Sequence, residues 1–279
     1  MSADAASAVP ALGAEARAGA GLGWQMPRFN HRAFMVARRD FLAWAKYYRS
    51  SVLLNFGEPL TNLLALGFGL GTYVAKMNGD PFVDFIGPGL LAVTAMNAVT
   101  FDVTFEAYDR LNQNGIYQAM IAAPLSAAEI VGGEIVWEAA RSLLYGAVFF
   151  SVLLVLGLVH SWWSLLLPLP LVAAGVLFAC PGLLVATFAK NHEQLFYYFT
   201  LAVTPMFLFS GVFFPLAHLP AAVRLLIDVT PLFHVVNIVR ALVLGTVGPG
   251  LWGDAAWVCA YCLALAALPA RALARRLTT

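Results

Sequence analysis

Apolar residues run in long blocks along this chain, and the blocks predict its elements. Crossing a hydrocarbon layer of roughly 30 Å takes about 20 mostly apolar residues. Six blocks meet that length, at about 51–75, 84–106, 134–158, 164–188, 194–214 and 251–270. Pro168, Pro170 and Pro181 fall in the fourth and Pro205 in the fifth. Such prolines are tolerated where neighbouring helices or water satisfy the freed backbone groups, so they predict kinks at helix contacts. Two further regions have other patterns. In 31–49, HRAFMVARRDFLAWAKYYR, a period of about 100° per residue puts Phe34, Ala37, Phe41, Trp44, Ala45 and Tyr48 on one face. Arg32, Arg38, Arg39, Lys46 and Arg49 lie on its flank. An aromatic face with a basic flank describes a helix lying in a membrane interface, drawn there by anionic headgroups; the alternative is a water-exposed helix packed on the protein's own loops. The stretch 215–248 is apolar but broken by Pro215, Pro220, Pro231 and internal charges. Its pieces are too short to span and suit re-entrant or interfacial helices.

Composition turns these blocks into a class. The chain is 61% hydrophobic and 11% charged, with a mean hydropathy of +0.79, whereas a soluble domain carries about 25% charge. The expected fold is an all-α polytopic membrane protein with six transmembrane helices, spanning residues 28–279. Residues 1–27, Ala/Gly-rich and without an apolar core of signal-peptide length, read as a disordered tail. With both termini inside, only Lys76, Arg224 and Arg240 of the 16 Lys and Arg residues fall outside. The positive-inside rule therefore expects both termini in the cytoplasm. Trp162 and Trp163, after His160 at a short outer turn, read as interface anchors, with sugar contact as the alternative.

One stretch breaks the apolar pattern: FEAYDRLNQNGIYQAMIAAPLS, residues 105–126. Its charges and amides suit water or a partner, and the charge count places it inside. The chain has no G-x-x-x-x-G-K-[ST] loop, so it is not expected to hydrolyse nucleotide alone. H-E-x-x-H and G-x-S-x-G are absent too. Cys180, Cys259 and Cys262 sit in or beside apolar runs, and the lone C-x-x-C has no second pair, so neither metal nor disulfide is inferred. Polar residues form stripes on two spans: Asn55, Glu58 and Asn62, continued by Gly69 and Tyr73, on the first, and Asn97, Thr100 and Thr104 on the second. They could line a pathway or make interhelical hydrogen bonds. Gly67 to Gly71 reads as a close helix contact or flexible point. Glu134, Glu138 and Arg141 share a helix face, where Arg141 can pair with Glu138.

Three stretches together resemble the ABC-2 exporter permeases. They are Phe105-Glu-Ala-Tyr-Asp-Arg-Leu with Met120-Ile-Ala-Ala-Pro-Leu-Ser and Glu129-Ile-Val-Gly-Gly-Glu134; Phe209-Ser-Gly-Val-Phe-Phe-Pro215; and Thr230-Pro-Leu-Phe-His-Val-Val-Asn-Ile-Val-Arg240. The NodJ-type lipooligosaccharide and polysaccharide export branch is the nearest in look, over roughly 30–275. The resemblance implies a non-catalytic half-transporter of a bacterial inner membrane. Two copies would meet around a pathway for an amphiphile, surrounded by membrane lipid and driven by a cytoplasmic ABC ATPase dimer. This chain would hold no cofactor; ATP and Mg2+ would sit in the partner, and nucleic acid is no partner. It also implies a coupling helix at about Asn112 to Pro124, with Asn114, Gly115, Ile116, Tyr117, Met120 and Ile121 as ATPase contacts. The interfacial helix, marked by Arg32, Arg38, Arg39, Phe41 and Trp44, would move with it, and the first and fifth spans would rearrange. Competing readings are an ATP-independent carrier or channel, a structural subunit that anchors an ATPase, and a drug or antibiotic efflux permease of the same superfamily.

Overall fold

The computed structural model describes residues 26–74, 76–77, 79–123, 125–215 and 220–278. The expected tail therefore lies outside the described residues up to residue 25, and so does Pro124. Helices α1 (His31–Trp44), α2 (Tyr48–Asn62), α3 (Phe82–Asn112), α4 (Ile116–Ala122), α5 (Ala127–Val155) and α6 (Pro168–Phe188) make up the first part of the described fold. Then come α7 (His192–Tyr198), α8 (Thr204–Phe209), α9 (Ala221–Asp228), α10 (Pro231–Leu244) and α11 (Gly250–Thr278). The described strands are a two-residue antiparallel pair, β1 (Lys76–Met77) and β2 (Asp80–Pro81).

Among the described residues, four helices are long and apolar enough to cross a membrane: α3, α5, α6 and α11. The first and fifth expected spans are helical but interrupted. After α2 the chain widens into a π-helix over Leu63–Gly69 and tightens into a 3-10 turn at Leu70–Thr72. Between α7 and α8 a second π-helix covers Phe199–Val203. The count of six continuous spans is therefore not reproduced. The boundaries also shift: α3 runs on to Asn112 and α5 begins at Ala127. Residues 105–112 of the polar stretch are thus the last turns of a membrane helix, and only 116–122 form a separate one.

The core is built from α3, α5, α6, α10 and α11. Small residues set their spacing. A Cβ on Gly175 of α6 would fall 2.5 Å from Ala139 Cα of α5, and one on Gly182 would fall 2.3 Å from Val103 Cγ1 of α3. Such contacts let backbones approach closely, which is how helices associate where lipid removes the hydrophobic drive. The stretch 215–248 forms two short helices, α9 and α10, as its prolines predict. α10 ends at Gly245, whose φ of 81° is left-handed and open to glycine. His160 N–H donates to Val243 O at 3.0 Å, tying the α5–α6 turn to the end of α10. Trp162 and Trp163 are both exposed there.

Candidate functional site

The polar stretch belongs to a site where α1, α2, α3, α4 and α5 meet. Two caps start it. Ser126 accepts from Glu129 N–H while Glu129 Oε2 accepts from Ser126 N–H at 2.8 Å, a capping box that opens α5. The other oxygen of Glu129 accepts from Asn30 Nδ2 at 2.6 Å, and Asn30 caps α1 through Ala33 N–H. One carboxylate therefore orients two helix starts. α1 then lies along α5 so closely that a Cβ on Gly133 would sit 2.5 Å from Val36 Cβ.

That docking corrects the expected face of α1. Its buried residues are Ala33, Val36, Ala37, Asp40 and Trp44. Phe34 and Phe41, expected on the same face as Trp44, are about half exposed, together with Met35 and Leu42. Gly133 of α5 lies where α1 crosses it, so Ala33, Val36 and Ala37 pack inward there and Phe34 turns away, while Trp44 stays buried further along α1. Trp44 packs on Trp137 and donates from Nε1 to Tyr145 OH at 3.2 Å. Arg39 turns inward, whereas Arg32 and Arg38 remain largely exposed.

Under α1 lies a buried ionic core. Arg110 of α3 donates from Nη1 to Glu134 Oε2 and from Nη2 to Glu106 Oε2, each at 2.6 Å. Asp40 Oδ1 lies 3.5 Å from Arg110 Nη2 and is also bonded by Arg39. Arg39 reaches Glu134 Oε1 at 3.5 Å and Met120 Sδ at 3.5 Å. From α4, Tyr117 OH donates to Glu134 Oε1 at 2.8 Å. Tyr47 OH donates to Glu106 Oε1 at 2.7 Å. Burial, with the Glu134 carboxylate beside it, pushes the Asp40 carboxyl up to about 7. The same two causes hold the Tyr117 hydroxyl well above its ordinary value, so it stays a donor. A second cluster adjoins the first. Arg141 pairs with Asp102 of α3 at 2.6 Å. This corrects the expected Arg141–Glu138 pair: Arg141 reaches across to the facing helix and Glu134 takes Arg110. Ser51 of α2 shares a 2.5 Å hydrogen bond with Tyr145 OH and lies 3.4 Å from Arg141 Nη2.

α4 leaves α3 through Gly115, whose φ of 61° makes the left-handed turn. Of the residues expected to contact an ATPase, Tyr117 is 1% exposed and faces the ionic core. The helical period, with Glu134 and Arg110 on one side, turns its ring inward, so it is removed from the outward set. Asn114 and Ile121 are exposed, and Gly115, Ile116 and Met120 half-buried. The expected pathway residues separate as well. Glu58 and Tyr73 are exposed, Asn55 and Asn62 half-buried on α2, and Asn55 donates to Ser51 O at 2.9 Å. Thr100 and Thr104 are fully buried, and Thr104 faces Gly182 of α6, so they pack a helix seam within this chain. Asn97 is half-buried. Among the described residues no cluster of His, Cys, Asp and Glu could hold a metal.

Comparison with known proteins agrees with this architecture. A family model described as ABC-2 type transporter matches residues 32–244, from α1 to the end of α10. The chain belongs to the ABC-2 type transporter family. The permease is 33% identical to Nodulation protein J of Sinorhizobium fredii over 243 residues, covering 87% of this chain and 92% of that protein. It is 36% identical to Nodulation protein J of Rhizobium leguminosarum bv. viciae over 211 residues, 75% of this chain and 81% of that protein. With the inner membrane transport permease YadH of Escherichia coli it shares 29% over 178 residues, 63% of this chain and 68% of that one. No solved structure matches it. The permease is thus a multi-pass membrane transport subunit.

Asp40 and Asp102 are core members that the pattern of apolar blocks passes over. Asp102, Glu106 and Arg110 recur every fourth residue at one end of an apolar helix, and that spacing is a visible signal. Asp40 completes the small-residue face Ala33, Val36, Ala37 and Trp44, which marks it as the polar group that must find a partner.

Proposed function

We propose that this permease exports a lipo-oligosaccharide-like amphiphile, driven by a separate ABC ATPase that docks on α4. The observation that carries this reading is the two-sidedness of α4. Its Tyr117 is tied to Glu134 at 2.8 Å, while Gln118, Ala119, Ile121 and Ala122 are exposed. A helix free to flex in its loop could not pass on a push; one bonded to Glu134 of α5, Arg39 of α1 and the Leu111 carbonyl of α3 moves with them. The ATPase dimer would hold ATP and Mg2+. Two permease copies would meet across the interrupted α2 and α7–α8 helices, where π-helical turns give a less rigid backbone. Asn55, Glu58, Asn62 and Tyr73 would then face the other copy and the cargo. The interfacial helix α1 would rest its exposed Phe34, Met35, Phe41 and Leu42 in the headgroup layer of an inner membrane, with both termini cytoplasmic. The substrate class rests on similarity to the Nodulation protein J relatives.

Reconstitution with the cognate ATPase tests both halves. ATP hydrolysis in vesicles should rise with a lipo-oligosaccharide, and stimulation by apolar drugs instead would redirect the assignment to drug efflux. Ile121→Glu should cut ATPase co-purification at least tenfold and leave the permease's Tm unchanged. Undiminished co-purification would sink the docking assignment.

A further inference from the structure

The two adjoining ionic clusters are each one positive charge short. Arg39 and Arg110 face Asp40, Glu106 and Glu134, and Arg141 alone faces Asp102 and Glu138. The second shortage is the sharper. Glu138 is 0% exposed and Asp102 is 3% exposed. Their side chains face each other across the seam of α3 and α5. Arg141 takes Asp102 Oδ1, and both oxygens of Glu138, like Asp102 Oδ2, lack a hydrogen-bond donor.

No neighbouring donor reaches Glu138, although Arg141 Nε also lacks a partner. The charges acting most strongly on Glu138 are Asp102, Arg141 and Glu134. Glu106 of α3 stands beside Asp102 on its other side, held by Arg110 and Tyr47, and Asp40 of α1 is bonded by Arg39. Tyr145 is engaged with Ser51 and Trp44, and Tyr47 with Glu106. α6 packs on the Glu138 turn through Gly175 and carries no acidic or basic side chain. Two ionised carboxylates side by side, shielded from water and sharing one guanidinium that reaches only Asp102, are untenable in a low-dielectric interior, and such groups neutralise instead. One added proton resolves both observations. It gives Glu138 an O–H that donates to Asp102 Oδ2, and it leaves one carboxylate for one guanidinium.

We propose that Asp102 and Glu138 form a proton-binding site that holds one proton on Glu138 in this conformation. The ligand is a proton taken from water when α3 and α5 close and returned when they part. Acid thereby favours the closed seam, and the motion of these helices is linked to pH. The inference rests on packing within this chain and is independent of ATPase docking and of the substrate.

The test uses the purified full-length permease in detergent, with no partner. Its infrared spectrum, taken well above pH 7 so that Asp40 is ionised, should contain the C=O stretch of a buried protonated carboxyl, shifted in D2O, and Glu138→Gln should remove that band. Glutamine has nearly the shape of the protonated acid and presents an N–H to Asp102, so the variant should keep Tm at neutral pH to within about 2–4 °C. The wild-type Tm should fall relative to the variant's as pH rises above the ordinary glutamate range, because the wild type alone has this proton to lose. Failure of Glu138→Gln to fold, a band that survives in it, or parallel pH profiles would overturn the proposal. A wild-type Tm that rises with sodium, with the rise lost in Glu138→Gln, would replace the proton by a metal cation and overturn it equally.

Discussion

Removing the Tyr117 hydroxyl asks whether α4 is tied to the bundle or only rests on it. Tyr117→Phe keeps the buried ring, which is 1% exposed, and deletes one donor 2.8 Å from Glu134 Oε1. Glu134 keeps Arg110 at 2.6 Å and Arg39 at 3.5 Å, so no carboxylate is orphaned and the change isolates one bond. A hydrogen bond to a charged group is worth about 1.5–3 kcal/mol. With about 2–4 °C of Tm per kcal/mol for a chain of this size, the variant should melt roughly 3–12 °C lower. Differential scanning fluorimetry in detergent measures this directly. A double-mutant cycle with Glu134→Gln should return a coupling of about 0.5–3 kcal/mol. If Tyr117→Phe left Tm unchanged but weakened ATPase binding, the tyrosine would belong to the outer contact surface and the internal anchor would be refuted.

Three other perturbations probe separate joints. Gly133→Ala places a Cβ about 2.5 Å from Val36 Cβ and should cost about 1–3 kcal/mol by forcing α1 off α5, seen as a lower Tm and altered Trp44 fluorescence. Asp40 is raised to about 7, while an unfolded aspartate titrates near ~3.9. Its contribution to stability is therefore full at low pH and lost as pH rises through that window, and Asp40→Asn should flatten the slope of Tm between about pH 4 and pH 7. Arg240 donates to Gly211 O at 2.8 Å and lies 4.0 Å over the Phe85 ring. Arg240→Met should speed hydrogen exchange of residues 204–215 by about tenfold or more, and unchanged exchange would show that the guanidinium does not hold that turn.

The long apolar blocks were readable because burial in lipid demands uninterrupted hydrophobicity, and α3, α5, α6 and α11 follow from it. The interruptions were readable only in part. Gly67 to Gly71 marked a close contact or flexible point and Pro205 a kink, but neither signals that Leu63–Gly69 and Phe199–Val203 widen to π. The outward tip of α4 was legible as a polar island with Ile116, Met120 and Ile121 in it, but the inward turn of Tyr117 depends on Glu134, seventeen residues further on. The Arg141 pairing failed for a related reason. Spacing along one helix names neighbours on that helix, whereas a charge facing another helix pairs across the seam, as Arg141 does with Asp102. For α1, period and composition identified an amphipathic helix but assigned the buried side to the aromatics. Ala37 and Trp44 are buried as expected, but the close approach at Gly133 leaves Phe34 and Phe41 outside.

The lock between Asn30 and Glu129 has a consequence for how the chain is made. The two residues are 99 positions apart, and at about 5–20 residues per second a ribosome takes roughly 5–20 s to supply the second after the first. Through that interval α1 exists without the helix it will clasp. Its large apolar side chains, Phe34, Met35, Phe41 and Leu42, are the ones it never buries in the finished bundle, so they are free to moor the nascent segment at the bilayer surface from the start. The face of Ala33 and Val36 stays vacant for Gly133, and biogenesis can proceed without first undoing the attachment.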